Sequence, residues 1–127
     1  MKTLKQHEKF AVDALTEIAY LLRENLPNEH YACVIAHIIE CRVSQYRESK
    51  SPLTMCLLRG EMMGIQCAKD IACLQYFAAA AEYAAWFALN PGEMQLQSYE
   101  NAMSCANAYI AKPPTPVCSP ANTSESD

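Results

Sequence analysis

The chain has 127 residues, 51% of them hydrophobic, with 10 lysines and arginines against 14 aspartates and glutamates and a formal net charge of −4. A chain of this length makes one domain that can bury a core without disulfide staples. Its basic residues are scattered from Lys2 to Lys112 without a cluster, which argues against nucleic-acid binding and against a polybasic membrane anchor.

The first ten residues, MKTLKQHEKF, are charged and polar where the apolar segment of a signal peptide would begin, so none is expected. A first helix is predicted from about Thr3 to Asn25, opened by a Thr3-x-x-Gln6 capping box. Leu4, Ala11, Ala14, Leu15, Ile18, Leu21 and Leu22 fall on one stripe of it. Pro27, in ENLPNEH, prevents simple continuation. A second helix follows from about Asn28 to Ser49. In ESKSPL, Ser51 is a natural N-cap and Pro52 a natural first helical residue.

From Pro52 to Leu89 the pattern stays helical, with an interruption expected near Gly60. Residues 71–89 have the length of a membrane span, yet Gln75 and Glu82 fall inside it. A buried, alanine-rich central helix is therefore expected, and no membrane segment. LNPGEM repeats the punctuation, with Asn90 as cap, Pro91 as first residue and Glu93 reaching back. The last helix should end near Ala111. Residues 112–127, KPPTPVCSPANTSESD, have almost nothing apolar to bury and are expected to form a disordered tail.

Helices joined by short Pro-marked turns predict an all-α fold, an antiparallel bundle of four to five helices over residues 1–111. Ala78, Ala81, Ala84, Ala85 and Ala88 should let neighbouring backbones approach the central helix closely. Gly60, Gly64 and Ala68 form a second small-residue ridge with the same expected role. The aromatic residues Tyr76, Tyr83, Trp86, Phe87, Tyr99 and Tyr109 should lie mostly in the core. Exposed together, they would mark a protein-binding face.

Seven cysteines, none in a Cys-x-x-Cys pair, point to reduced thiols in a cytoplasmic chain. The leading expectation is that they are inert and buried, padding helix contacts. The stretch HYACVIAHIIEC, residues 30–41, carries a second reading. On a helical wheel Cys33, His37 and Cys41 fall within about 60° of His30. That row is expected along the border between core and polar surface, beside an apolar arc of Tyr31, Val34, Ile35, Ile38 and Ile39. Residues four apart on a helix can grip one ion, so Cys33–His37 and His37–Cys41 are candidate ligand pairs. One helix cannot close a tetrahedral site. Cys67 and Cys73 are the leading candidates to complete it, with Cys56, Cys105, His7 or an acidic residue as others. Such a donor set suits zinc or copper(I).

The segment MGIQCAKDIACLQYFAAAAEYA, residues 63–84, resembles the central helix of the cysteine-lined four-helix-bundle copper-binding proteins. Met63, Asp70, Cys73, Ala80 and Ala81 match that pattern, and Cys105 could match a thiol of the family's last helix. Phe77, Gln66 and Tyr109 stand where the family has further cysteines. The resemblance implies a bundle with inward cysteines and, where enough thiols are kept, copper(I) binding.

Catalytic motifs are sparse. Cys33 and His37 are conceivable as a dyad, but no third group accompanies them in sequence. Arg23 and His30 resemble the loose Arg-x(4–6)-His spacing of HEPN-type helical ribonucleases, with Glu24 and Pro27 departing from it. The sequence therefore favours a small non-catalytic bundle that acts by binding another protein, as an adaptor, inhibitor or accessory protein, of a kind that a phage or another mobile element could carry. The alternatives are a Cys/His metal-binding bundle and, more remotely, an HEPN-like ribonuclease. Small-residue ridges and apolar faces serve folding and homodimer formation alike.

Overall fold

Ser51 and Pro52 start a helix as the sequence requires: the Ser51 hydroxyl oxygen accepts from the Leu53 backbone N–H at 3.3 Å. This helix is the third of five in the computed structural model, which describes residues 5–26, 30–67 and 72–111. The order is α1 Gln6–Asn25, α2 His30–Ser49, α3 Pro52–Gln66, α4 Ala72–Leu89 and α5 Glu93–Ala111. The described chain is all helix and connection, an antiparallel bundle.

The central position of the alanine-rich helix holds. α4 packs broadly against α1, α3 and α5, while α1 also packs on α2 and α2 on α3. The helices α1 to α4 thus close a ring, and α5 lies on the far side of α4. Ala78, Ala80, Ala81, Ala84 and Ala85 are fully buried, because a methyl group at the contact is what lets three helices approach one. Phe77 fills the interior beside them, with Leu15, Ile18, Leu22, Ile35, Ile39, Met55, Leu58 and Met62 around it. Burying each of these side chains contributes about 1.5–3 kcal/mol against the entropy of ordering the chain.

One Arg–Glu pair spans each neighbouring couple of helices from α1 to α4. Arg23 meets Glu40 (2.8 Å), Arg42 meets Glu61 (2.8 Å) and Arg59 meets Glu82 (2.9 Å). Phe10 of α1 closes the other side, edge-on to Phe87 of α4 at 5.5 Å and to Tyr99 of α5 at 5.6 Å. Glu8 of α1 reaches Tyr46 near the end of α2, as antiparallel neighbours must. Burial and this carboxylate push the Tyr46 phenol up to about 12.

Several boundaries differ from the expectation. α1 begins at Gln6 after Lys5, whose side chain makes no capping bond; Thr3 lies outside the described residues, as do Asn28 and the segment 112–127. The long helix is interrupted after Gln66, not at Gly60, which sits inside α3. α5 begins at Glu93, later than Pro91. There the buried Gln95 folds back, its Nε2 donating to the Asn90 carbonyl at 2.7 Å. A Cβ at Gly92 would lie 2.7 Å from Gln95 Oε1, so a larger residue there would push the end of the Gln95 side chain aside. At the same end of the bundle Lys50 holds a positive φ of 57°, closing α2 before Ser51.

Candidate interaction surface

Two outward faces concentrate the groups that the core does not use. The first is on α2. Its core side is Ala32, Ile35, Ala36, Ile39, Val43 and Tyr46, all buried. Cys33, His37 and Cys41 are exposed, and on the helical wheel they lie nearly opposite that stripe. The border position expected for them is therefore corrected: they face solvent, with Val34 beside them at 37% exposure. The wheel misplaced the core because Ala32 and Ala36, rather than Tyr31 and Val34, flank the buried isoleucines.

Within this row the contact joins His37 to Cys41, whose Sγ lies 3.4 Å from Nε2. Glu40, on the α1 side of the helix, is taken by Arg23 through two bonds of 3.0 and 2.8 Å. The hydrogen bonds from that guanidinium hold the Glu40 carboxyl below its ordinary value. Arg23, the arginine of the ribonuclease-like spacing, is thereby occupied; the side chain of His30 is outside the described residues.

Among the described residues, no three or more His, Cys, Asp or Glu side chains converge as a metal site. Cys67 caps the end of α3, its thiol donating toward the Met63 carbonyl at 3.6 Å, and His7 sits beside Glu8 and Phe87. The side chain of Cys73 lies outside the described residues. The expectation of buried, padding thiols is overturned for the five described cysteines: Cys33, Cys41, Cys56, Cys67 and Cys105 are all free and exposed. Alanine, smaller than cysteine, occupies the tight contacts instead. Of the positions that resemble the copper-binding bundles, Ala80 and Ala81 are buried in α4 and Met63 is 48% exposed; Phe77, which departs from that pattern, is core.

The second face is on α3. Thr54, Met55, Leu58 and Met62 point inward and are buried. The opposite side carries Leu53, Cys56, Leu57, Gly60, Met63, Gly64 and Cys67, and all of them are exposed. No charged residue lies among them. Leu53 keeps 64% of its surface and Leu57 46%. Among the described residues the two glycines make no close packing, contrary to the expectation for that ridge, whose Ala68 lies outside the described residues. A Cβ built at Gly60 or Gly64 meets nothing within 4 Å.

Charges stand only at the flanks of this face, and each is already matched. Glu61 is held by Arg42 through bonds of 3.1 and 2.8 Å. On the other flank Arg59 donates to the buried Glu82 and covers the Trp86 ring at 4.1 Å. The aromatic residues do not form one exposed face. Tyr76 is exposed, while Tyr83, Trp86, Phe87, Tyr99 and Tyr109 are half-buried. The α3 face was missed as a surface because leucine, methionine and cysteine read as core residues. Its signal in the sequence is the second uncharged stripe on one helix.

No family model, no curated protein and no solved structure matches this chain. Among the described residues, no helix is long and apolar enough to cross a membrane.

Proposed function

We propose that the protein is a non-catalytic helical bundle that acts by binding another protein through the outer face of α3. The observation that carries this reading is the uncharged row Leu53, Cys56, Leu57, Gly60, Met63, Gly64 and Cys67, exposed along four turns of helix. Leaving such a row in water forgoes burial worth about 25 cal/mol per Å². Two glycines in a helix interior add a cost of roughly 1 kcal/mol each relative to alanine. Nothing among the described residues offsets either cost, whereas a docked helix or strand would offset both. An adaptor, inhibitor or accessory role fits a bundle whose core and ion pairs are complete without that face.

The test is a comparison of wild type with Leu53→Asp/Leu57→Asp in affinity capture. Both side chains point to solvent, so the variant should keep its far-ultraviolet spectrum and its melting temperature. The expected result is a partner held by wild type and lost by the variant. Identical capture by both proteins would remove the reading.

A second reading is supported by the 3.4 Å contact of His37 with Cys41. These two, with Cys33 one turn before, offer imidazole and thiolate ligands on an exposed helix face. Cys67 and Cys73 are the further candidates of that reading, with zinc or copper(I) as the ion. Metal analysis after dialysis against zinc under reducing conditions should then show stoichiometric metal in wild type and its loss in His37→Ala/Cys41→Ser. Equal, sub-stoichiometric metal in both would dispose of it.

A further inference from the structure

Cys33, Cys41, Cys56, Cys67 and Cys105 are all free and exposed, yet their surroundings differ. Among the described residues only Cys41 lies against a base. Its Sγ is 3.4 Å from His37 Nε2 and 4.0 Å from Nδ1. The Cys67 thiol donates to the Met63 carbonyl, a contact that the protonated sulfur makes. Cys33, Cys56 and Cys105 form no side-chain hydrogen bond with described residues.

The base beside Cys41 is itself placed. His37, Glu40 and Cys41 share one turn of α2, at i, i+3 and i+4. Glu40 lies within electrostatic reach of the imidazole, and two bonds from Arg23 of α1 hold it there. Arg42, fixed by Glu61 of α3, lies within electrostatic reach of the Cys41 sulfur. A nucleophile, a base against it and a carboxylate beyond the base are the groups that activate a thiol. The three stand in mid-helix, where backbone N–H groups are committed to the helix's own carbonyls, so no oxyanion hole accompanies them. The set suits a stoichiometric reaction of sulfur, and hydrolytic turnover does not follow from it.

We propose that Cys41 is a site of reversible thiolation, with a small aliphatic disulfide as its co-reactant. His37 takes the thiol proton, and Cys41 Sγ attacks one sulfur of the disulfide. The new S–S bond forms as the old one breaks, and the departing thiolate leaves with the proton from His37. One protein thiol and one disulfide give one mixed disulfide and one small thiol, with no other oxidant. Excess thiol reverses the exchange. Cys33, the other thiol of α2, lies eight residues or about 12 Å along the helix, too far to displace the small thiol by closing a disulfide. Cys41 faces away from the buried stripe of α2, so the added group leaves the core packing alone. The reaction needs neither a partner on α3 nor a metal.

The test is a time course of the reduced full chain with glutathione disulfide in neutral buffer, with and without a chelator, read cysteine by cysteine by mass spectrometry. Cys41 should be thiolated at least about tenfold faster than Cys56 or Cys105, which are exposed but have no base. His37→Gln, which takes no proton and carries no charge, should slow Cys41 to the rate of Cys56. His37→Arg, a fixed cation at the same place, should restore most of the difference. His37 is exposed, so both variants should melt with the wild type.

A Cys41 that reacts no faster than Cys56 overturns the proposal, and so does a His37→Gln variant that reacts as the wild type does. A His37→Arg variant as slow as His37→Gln would also overturn it, since shape rather than charge would then be what His37 supplies. A preference for Cys41 that vanishes with the chelator would overturn it in favour of the metal reading.

Discussion

Helices α3 and α4 carry the same kind of sequence and live in opposite surroundings. Both are rich in small and apolar residues at helical spacing. In α4 the small residues Ala81, Ala84 and Ala85 are fully buried, because α1, α3 and α5 press on them. On α3 the small residues Gly60 and Gly64 look onto open space, and the leucines beside them stay 64% and 46% exposed. A small-residue ridge permits close approach. It does not say which neighbour approaches.

Truncation gives the largest way to break this contrast. Phe77→Ala removes a fully buried ring from α4 and should cost about 3–5 kcal/mol in urea unfolding. Leu57→Ala on the outer side of α3 should change the stability of dilute protein by less than about 0.5 kcal/mol. Comparable losses at both sites would mean that the α3 face is already covered within the chain.

The flank between the two helices comes next. Arg59→Ala leaves Glu82, 5% exposed, without its cation. The expected loss is about 2–3 kcal/mol, discounted because Arg59 itself is a third exposed. Arg23→Ala, which breaks an exposed pair, should cost no more than about 1 kcal/mol. Equal losses would make the α3–α4 pair as superficial as the α1–α2 pair.

A titration probes the inner side of α2 in the same manner. The folded Tyr46 phenol lies above the ordinary value of 10, at about 12. Its stabilising contribution is therefore complete below pH 10 and is lost as the pH rises through 12. Chemical unfolding should show a loss of about 1–2 kcal/mol over that window. Tyr46→Phe should remove most of it; an unchanged slope in the variant would assign the effect elsewhere.

The smallest effect has the opposite sign. Gly60→Ala and Gly64→Ala place a methyl group where nothing stands, so each should stabilise dilute protein by roughly 0.5–1 kcal/mol through helix propensity alone. Destabilisation would show a neighbour in those notches.

Much of the fold was legible in residues whose effect is local. Ser51 and Pro52 start α3 because a hydroxyl cap and a fixed φ act within one turn. The alanine run named the central helix because only methyl-sized side chains allow contact on several sides. The end of α3 at Gln66 was not legible. No proline stands there, and the reversal serves the packing of α4 against α1 and α3.

The candidate surface was half legible for the same reason. Periodicity reveals a stripe but not what it faces. α3 has two stripes at heptad spacing, and only the assembled bundle shows that Met55, Leu58 and Met62 meet the core while Leu53 and Leu57 do not. On α2 the pairing of His37 with Cys41 was readable from their spacing. Its exposure was not, because Ala32 and Ala36 mark the core more faintly than the larger but exposed Val34 suggests it.

The most direct test of the α3 surface is a nitrogen-15 NMR titration of the full chain, under reducing conditions, with the protein recovered by affinity capture. The account predicts partner-dependent amide shifts at Leu53, Leu57, Gly60, Gly64 and Cys67, with the buried run from Ala78 to Ala85 of α4 unmoved. Shifts absent from α3 at saturating partner, or centred on α4, would contradict it.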